Sequence, residues 1–455
     1  MVEDTIVAIA TPLGTGGLAI VRLSGSRALA VADTCFAPAG AGGIRVSDAR
    51  THTIHYGHVV RDATRLDEVL LSVMRAPRTF TREDVVEITC HGGLLPAKLV
   101  LEALLAGGAR LAEPGEFTRR AFLNGRIDLA QAEAVADLIH SQTELALRAA
   151  NEQLAGKLSE RVNRLRDQMV QTLAHVEAHI DFPEEDIAPD TREELVRRLK
   201  HGLAGMDELL RTAPEGQILR RGIRAAIIGR PNAGKSSLLN QLLGHDRAIV
   251  SSIPGTTRDT IEETANVRGL PVVFIDTAGL REGRDELEAE GIRRSRCSLE
   301  RAEFILHVLD ASEPLTEADR AYLAEFAGKK RILVCNKTDL SRKLELPELN
   351  SRVAEVCCLT GEGIERLKDA IKELVWSGEI RADMLGVMIN SRHQDALERA
   401  RSATQRTVTA LRENHTLELV ALDLRIAVNA IGEIVGKTTT EDLLDMIFSQ
   451  FCIGK

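Results

Sequence analysis

The residues best suited to chemistry lie in a glycine-rich segment between an apolar run and a helical pattern. Residues 229–236 read Gly-Arg-Pro-Asn-Ala-Gly-Lys-Ser, after the apolar run at 223–228 and before the helical pattern at 238–243. Glycines let main-chain N–H groups at a helix N-terminus converge on phosphate oxygens. Lys235 can supply positive charge to the β- and γ-phosphates, and the Ser236 hydroxyl suits Mg²⁺. The sequence therefore predicts a phosphate-binding loop.

Three further motifs follow in chain order. Residues 276–279 read Asp-Thr-Ala-Gly after an apolar run, and this glycine N–H can meet a γ-phosphate. Residues 336–339 read Asn-Lys-Thr-Asp, and the Asp339 carboxylate can accept both N1–H and the exocyclic amine of guanine, which adenine does not offer. Thr257, within Gly-Thr-Thr-Arg-Asp at 255–259, is the expected second Mg²⁺ ligand. Together the motifs predict a GTPase and not an ATPase.

Two positions depart from the usual GTPase pattern. Residues 357–359 read Cys-Cys-Leu where such domains usually have Ser-Ala-Lys, and a backbone contact to the guanine oxygen can survive this change. Leu280 stands where Ras-like enzymes have the glutamine that orients the attacking water. Another group, from this chain or from a partner, must therefore orient that water.

Composition narrows the class of protein. The chain has 455 residues, enough for about three domains, and a net charge of −9 that argues against a general polyanion-binding surface. Arg119, Arg120, Arg126 and residues 197–201 could form a local basic patch or simply solvated helix faces. Seven cysteines without a CxxC pair predict a reducing compartment. No signal peptide or spanning segment is evident, so the expected location is cytoplasmic, without a membrane.

Hydrophobic periodicity separates an α+β beginning from a helical remainder. Five short β-rich runs and one helical pattern predict an α+β unit, at residues 5–10, 18–23, 54–60, 69–74, 85–90 and 95–106. Apolar residues spaced by three and four from Leu154 to Ile180 predict one long amphipathic helix that ends before Pro183. Further helices are expected at 190–212, 395–411, 417–435 and from 438 onwards. The apolar tail at 451–455 is expected to dock.

These patterns predict a multidomain α/β and α+β protein, with a P-loop, Ras-like GTPase domain inserted in a helical bundle. The predicted boundaries are 1–119 for the N-terminal domain, 120–215 and 378–455 for the two parts of the helical domain, and 216–377 for the GTPase domain.

Read together, the motifs resemble the bacterial tRNA modification GTPase family MnmE, also called TrmE. The segments that carry the resemblance are GRPNAGKSSLLN, PGTTRD, DTAGLRE, PGEFTRRAFLNGRIDLAQAEAV and the terminal FCIGK. They run in the family's order between Asp4 and Lys455. The resemblance implies action on the wobble uridine (position 34) of certain tRNAs, modified at carbon 5 to (carboxymethyl)aminomethyluridine. The implied partner is the FAD-binding flavoprotein MnmG (GidA), in a heterotetramer.

The resemblance also implies cofactors and their residues. A tetrahydrofolate derivative (5-formyl or 5,10-methylene) would supply the one-carbon unit, bound by the N-terminal domain, which also forms a homodimer. Its contacts fall on Arg22, Glu87, Arg126 and Lys455, each of which could alone be an ordinary surface charge. A K⁺ ion near the phosphates would be bound by Asn232, Ser251, Ile253 and Thr256, and Mg²⁺ by Ser236 and Thr257.

Glu288 matches the family's water-orienting glutamate, and together with Lys235 it is the expected catalytic residue. Without the resemblance, Glu288 would be taken for a solvated acid. The expected GTP contacts are Asn232, Ala233, Gly234, Lys235, Ser236, Ser237, Ser251, Ser252, Ile253, Pro254, Gly255, Thr256, Thr257, Asp276, Thr277, Ala278, Gly279, Asn336, Lys337, Asp339, Cys358 and Leu359.

Two other classes of GTPase fit less well. A ribosome-assembly switch that only binds RNA should carry a KH module, but no GxxG-bearing KH pattern appears, and the flanks of the GTPase segment are helical and acidic. A membrane transporter GTPase should carry spanning segments, which the sequence lacks.

Overall fold

The computed structural model describes residues 4–40, 44–181, 192–244, 262–275, 300–347, 351–376 and 384–455. The chain divides into two compact units. The first contains residues 1–136, 162–170 and 425–455, and the second contains 137–161 and 171–424. The predicted boundaries at 119, 215 and 377 stay a prediction.

The first unit is built on a seven-stranded sheet. Its strands are β1 (Ile6–Ile9), β2 (Leu18–Ser24), β3 (Phe36–Pro38), β4 (Thr53–Arg61), β5 (Thr64–Met74), β6 (Val85–His91) and β7 (Arg110–Leu111). They lie in the order β3-β4-β5-β6-β2-β1-β7, with β1 and β7 parallel and the other neighbours antiparallel. The β-rich runs predicted for this region are confirmed.

Helices on this sheet bury its apolar residues. They are α1 (Ala28–Asp33), α2 (Leu94–Ala106) and α3 (Glu116–Leu123), followed by α4 (Leu129–His140). Val100 and Leu104 of α2 are fully buried against the core that contains Val21 and Ile88 of the sheet. The apolar side chains at this contact are removed from water, which stabilises the unit.

The second unit contains a six-stranded sheet flanked by helices. Its strands are β8 (Ile223–Ile228), β9 (Glu263–Val267), β10 (Leu270–Phe274), β11 (Phe304–Asp310), β12 (Arg331–Asn336) and β13 (Arg352–Glu355). Their order is β13-β12-β11-β8-β10-β9, parallel except for the β9–β10 pair. Strands β8, β11 and β12 are apolar almost throughout because both faces are covered, as parallel sheets require.

The remaining helices precede this sheet in the sequence, alternate with its strands or follow it. They are α5 (Glu144–Leu154), α6 (Lys157–Asp181), α7 (Arg192–Leu210), α8 (Ala213–Arg221), α9 (Lys235–Leu243), α10 (Glu317–Glu325), α11 (Ile364–Val375), α12 (Ser391–Arg412), α13 (Leu417–Val435) and α14 (Glu441–Phe448). Helix α12 packs on α7, and Arg401 Nε donates to Asp207 Oδ1 at 2.6 Å. The fold class is as predicted, with a nucleotide-binding α/β domain inserted between helices.

One predicted helix is wrong at its start. The long helix was expected from Leu154, but Leu154 ends α5, and α6 begins only at Lys157. Gly156 separates the two helices with φ +95°, a left-handed conformation that interrupts a helix. The helical spacing continues across this break, so periodicity alone does not reveal it.

Candidate functional site

The loop between β8 and α9 has the geometry of a phosphate-binding loop. Gly229 has φ +145°, and a Cβ there would lie 2.3 Å from the Val308 carbonyl oxygen. Gly234, with φ +99°, leads directly into α9. Because no side chain fits at either position, the main-chain N–H groups before α9 stay open towards a ligand at the positive end of the helix dipole.

Lys235 is fixed inside this loop. Its Nζ donates to the carbonyl oxygens of Gly229 and Arg230, both at 2.9 Å. Burial lowers the pKa of Lys235, because the loop removes the ammonium group from water. The ammonium is therefore held by the loop at the start of α9, where phosphates would bind.

Asn336 joins the phosphate loop to the base-recognition segments. Its Nδ2 donates to the Ala233 carbonyl at 2.9 Å, and its Oδ1 accepts from the Cys358 N–H at 3.1 Å. Gln241 Nε2 donates to the Cys358 carbonyl at 2.8 Å. Asn336 is almost fully buried, so its role is to connect these loops. Asp339 follows three residues later, beyond the carboxyl end of β12.

These segments enclose one pocket of about 680 Å³. Its lining residues are Pro231, Asn232, Gly234, Lys235, Ser236, Ser237, Asn336, Lys337, Asp339, Cys358 and Leu359. All of them except Pro231 were predicted nucleotide contacts. Ala233 is buried behind the loop and can contribute only its backbone. Parallel strands bring the residues together, because their carboxyl ends share one edge of the sheet.

Other predicted nucleotide, cation and catalytic residues lie outside the described part of the chain. They are Ser251, Ser252, Ile253, Pro254, Gly255, Thr256, Thr257, Asp276, Thr277, Ala278, Gly279 and Glu288. Within the described ranges no cluster of three or more His, Cys, Asp or Glu side chains could bind a metal.

In the first unit, Arg22, Glu87 and the chain end come together. Arg22 on β2 donates through Nε to Glu87 Oε1 at 2.7 Å and through a terminal nitrogen to the Gly454 carbonyl at 3.3 Å. Lys455 is half-buried beside them, and its pKa is lowered by burial and by the positive charge of Arg22. A cluster with two cations and one carboxylate can bind an anionic ligand.

The C-terminal tail is docked, as predicted. Phe451 is buried in a cluster with Phe448 and Leu444 of α14. Ile453 pairs with Pro114, and the Lys455 carbonyl accepts from the Phe117 N–H at 3.2 Å. Ile453 and Cys452 themselves remain exposed, so Phe451 supplies the buried anchor and the backbone supplies the rest.

The fourth predicted folate contact, Arg126, lies in a different local setting. Its guanidinium donates to the Thr79 carbonyl at 2.8 Å and stacks 5.6 Å from the centre of the Phe80 ring. Phe80 packs on the small core that contains Phe117, and Arg22 lies over the Phe117 ring at 5.8 Å. The two arginines thus flank one aromatic core without a direct contact to each other among the described hydrogen bonds.

Comparison with known proteins decides the family. The family model "GTP-binding protein TrmE N-terminus" matches residues 5–126, and "MnmE helical domain" matches residues 129–452. The tRNA modification GTPase MnmE of Geobacillus kaustophilus is 49% identical over 461 residues, which covers 99% of both chains. The Bacillus subtilis protein of the same name is 47% identical over 99% of this chain and 100% of its own.

The chain belongs to the MnmE family of tRNA modification GTPases. Its enzymatic activity is accordingly the hydrolysis of GTP, as Asp339 and the phosphate loop predict. Among solved structures, the G domain of the T. maritima FeoB iron transporter is 27% identical and covers 33% of this chain and 98% of its own, with a TM-score of 0.27. That score is too low to add to the identification. Among the described residues, no helix is long and apolar enough to cross a membrane.

In this MnmE family member, Asp310 contacts the base-recognition motif, which the sequence analysis did not predict. Asp310 ends β11, and its Oδ2 accepts from Lys337 Nζ at 2.6 Å. Burial acts to raise the pKa of Asp310, but hydrogen bonds from Lys337 and Ser312 outweigh it and the pKa is lowered. An aspartate at the end of an apolar strand is a signal that could have identified this partner of the base-recognition motif.

The expectation of a surface role for Arg120 is wrong. Its side chain is 2% exposed and pairs with Asp4, Glu83 and Glu116. The basic residue belongs to the inner face of α3, where it connects this helix to β1 and to the segment before β6. Arg119, the preceding residue, points to a different side of α3 and pairs with Asp445 at the surface.

Proposed function

We propose that this chain is a K⁺-dependent GTPase that acts with the flavoprotein MnmG (GidA) on the wobble uridine (position 34) of certain tRNAs. The modification would add an aminomethyl or carboxymethylaminomethyl group at carbon 5, with a tetrahydrofolate derivative as one-carbon donor. The observation that carries the GTPase part is the pocket that has Lys235 at one side and Asp339 at the other. The relatives' printed names support tRNA as substrate, and the proposed location is the cytoplasm.

The proposed phosphate chemistry follows from charge and position. Lys235 would stabilise negative charge that builds up on the phosphates, and Ser236 would bind Mg²⁺, which supplies further positive charge there. Thr257 would be the second magnesium ligand, and Glu288 would orient the attacking water in place of the glutamine lost at Leu280. Asp339 would recognise the guanine base through its carboxylate, and main-chain N–H groups of the phosphate loop would position the phosphates.

Asn232 supports the potassium part of the proposal. It lines the pocket in a left-handed backbone conformation, φ +62°, which asparagine adopts more readily than most residues. Its carbonyl oxygen is a suitable ligand for a hard cation. Ser251, Ile253 and Thr256 would supply the other oxygens, so that the ion takes the place of an arginine finger.

The folate part rests on the cluster around the chain end. Arg22, Arg126 and Lys455 would supply positive charge for the carboxylates of a folate's glutamate tail, and Glu87 would share in that charge balance. The tail's docking against Pro114 and Phe117 explains how a terminal residue can belong to a binding site. The family's homodimer and its heterotetramer with MnmG, which brings FAD, complete the proposed assembly.

The test compares the rate of GTP turnover in K⁺ and in Na⁺, and the turnover of GTP with that of ATP. GTP turnover of the parent protein should be much faster in KCl than in matched NaCl, and ATP turnover should be negligible. Asn232→Gly removes the side chain without strain at φ +62° and should abolish the difference between the two salts. Asn414→Gly is the matched control, since Asn414 is exposed at φ +58° and should keep the K⁺ stimulation.

Equal parent rates in K⁺ and Na⁺ would refute the potassium proposal. Turnover of ATP similar to that of GTP would refute the base selection by Asp339.

A further inference from the structure

The departure at residues 357–359 places a thiol against the base-recognising carboxylate. Cys357 Sγ lies 3.2 Å from Asp339 Oδ1, in the geometry of a hydrogen bond from the thiol to the carboxylate. Cys357 is 1% exposed whereas Asp339 is exposed, so the thiol meets the carboxylate from its buried side. The sequence analysis predicted only a backbone contact from residues 357–359. The contact of the Cys357 thiol with Asp339 was not predicted.

The backbone holds this thiol in place from several directions. The Cys357 N–H donates to the Glu362 carbonyl at 2.9 Å, and its carbonyl accepts from the Gly361 N–H at 2.8 Å. The preceding Val356 N–H donates to Cys335 on β12 at 2.9 Å. Sγ is thus fixed relative to the strand from which Asp339 extends.

A fixed donor matters because guanine recognition needs two oxygens of one carboxylate at once. The terminal torsion of an aspartate is soft and can rotate over a wide range. A single hydrogen bond can be preserved by such rotation, but simultaneous bonds to N1–H and to the 2-amino group require one orientation. Donation from Cys357 to Oδ1 selects that orientation while leaving each oxygen a free lone pair.

We infer that Cys357 is a positioning residue that sharpens the selection of guanine by orienting the Asp339 carboxylate through its thiol. The inference rests on the proposed role of Asp339. The property it controls is discrimination for the 2-amino group of the base, and not the overall affinity of the pocket for nucleotide phosphates, which Lys235 would contact.

The experiment measures dissociation constants of the full-length protein for GDP and for inosine diphosphate, which lacks the 2-amino group. Cys357→Ala should reduce the preference for GDP by about 3- to 10-fold, the effect of losing one net hydrogen bond. Cys357→Ser should restore most of the preference, because a hydroxyl also donates. Cys335→Ala removes another buried thiol of the same sheet and should keep the parent ratio.

The variant Asp339→Asn tests the proposed recognition of guanine by Asp339 separately from the role inferred for Cys357. An asparagine amide donates where the carboxylate accepts, so this variant should lose GDP and gain xanthosine diphosphate, whose base has an oxygen at carbon 2. If Asp339→Asn keeps the parent's base preference, both the proposed role of Asp339 and the inference about Cys357 are refuted. If it switches preference while Cys357→Ala keeps the GDP-to-inosine ratio, or lowers both affinities equally, the inference alone is overturned.

Discussion

Arg120 is the residue on which the charge balance of the N-terminal unit depends. Its guanidinium lies 2.6 Å from Asp4, 3.0 Å from Glu116 and 3.3 Å from Glu83. Arg120→Ala should lower the free energy of unfolding by up to about 3–5 kcal/mol, because it removes the buried cation of this network and leaves Asp4 and Glu116 paired with Arg110 alone. Arg119→Ala, the neighbouring control, breaks a more exposed pair with Asp445 and should cost at most about 1 kcal/mol. Urea unfolding followed by circular dichroism measures both.

The same network gives stability a pH dependence. Burial acts to raise the pKa of Glu116, but bonds from Arg110, from the Glu113 N–H and from Arg120 outweigh it, and the pKa is lowered. The pKa of Asp4 is lowered for a similar reason. Since the folded protein holds these protons less tightly than the unfolded chain, their contribution is complete above the ordinary carboxyl pKa and is lost as pH falls through the lowered values.

Unfolding of the parent protein should therefore become easier as pH falls below about 4.5. Arg120→Ala should respond less steeply in that range, because Asp4 and Glu116 keep only Arg110 as a cationic partner and their pKa values are lowered less. Parallel pH profiles for the two proteins would contradict this account of the network.

At the scale of elements, the tail after α14 is the segment that should decide folate binding. Deletion of residues 451–455 removes the Phe451 anchor and Lys455 together, and should weaken binding of 5-formyltetrahydrofolate. Gly454→Ala is a subtler change. At φ +98° an alanine is strained, and its Cβ would lie 2.7 Å from the Ile9 carbonyl oxygen, so the last residue should be displaced. Titration calorimetry with the folate measures both variants.

The control for the glycine change is Gly328→Ala, where an added Cβ meets nothing within 4 Å. It should bind folate like the parent. GTP hydrolysis should be nearly unchanged in all three variants, because the nucleotide pocket is formed by the second unit alone. Unchanged folate affinity after the deletion would mean that the tail serves packing only, and Lys455 would no longer be a folate contact.

For the whole molecule, the proposal requires that both ligand sites serve one reaction on tRNA. Cells that lack this protein should lose the carbon-5 modification of the wobble uridine, measured by mass spectrometry of tRNA nucleosides. The parent chain should restore it, whereas neither the tail deletion nor Asn232→Gly should. The tail deletion is the informative case, since it keeps its GTPase activity. Full modification in cells without the protein would refute the proposed substrate.

Much of the nucleotide site could be read from the sequence because its chemistry is local. The loop from Gly229 to Ser236 is contiguous, and its strand and helix follow directly on either side. Asp339 was identified because its carboxylate can accept hydrogen bonds from N1–H and the exocyclic amine of guanine, which adenine does not offer. The long helices were predictable for the same reason, since apolar residues spaced by three and four lie on one face of a single helix.

Only the tertiary structure decided which distant residues meet. Arg120 and Arg119 are adjacent basic residues in the sequence, yet one is buried among carboxylates and the other lies at the surface, because helix packing selects a face. The break at Gly156 depends on a backbone angle, and the contact of Cys357 with Asp339 depends on the pairing of β12 with the following segment. Such contacts join residues far apart in the chain, so no periodicity in a single sequence records them.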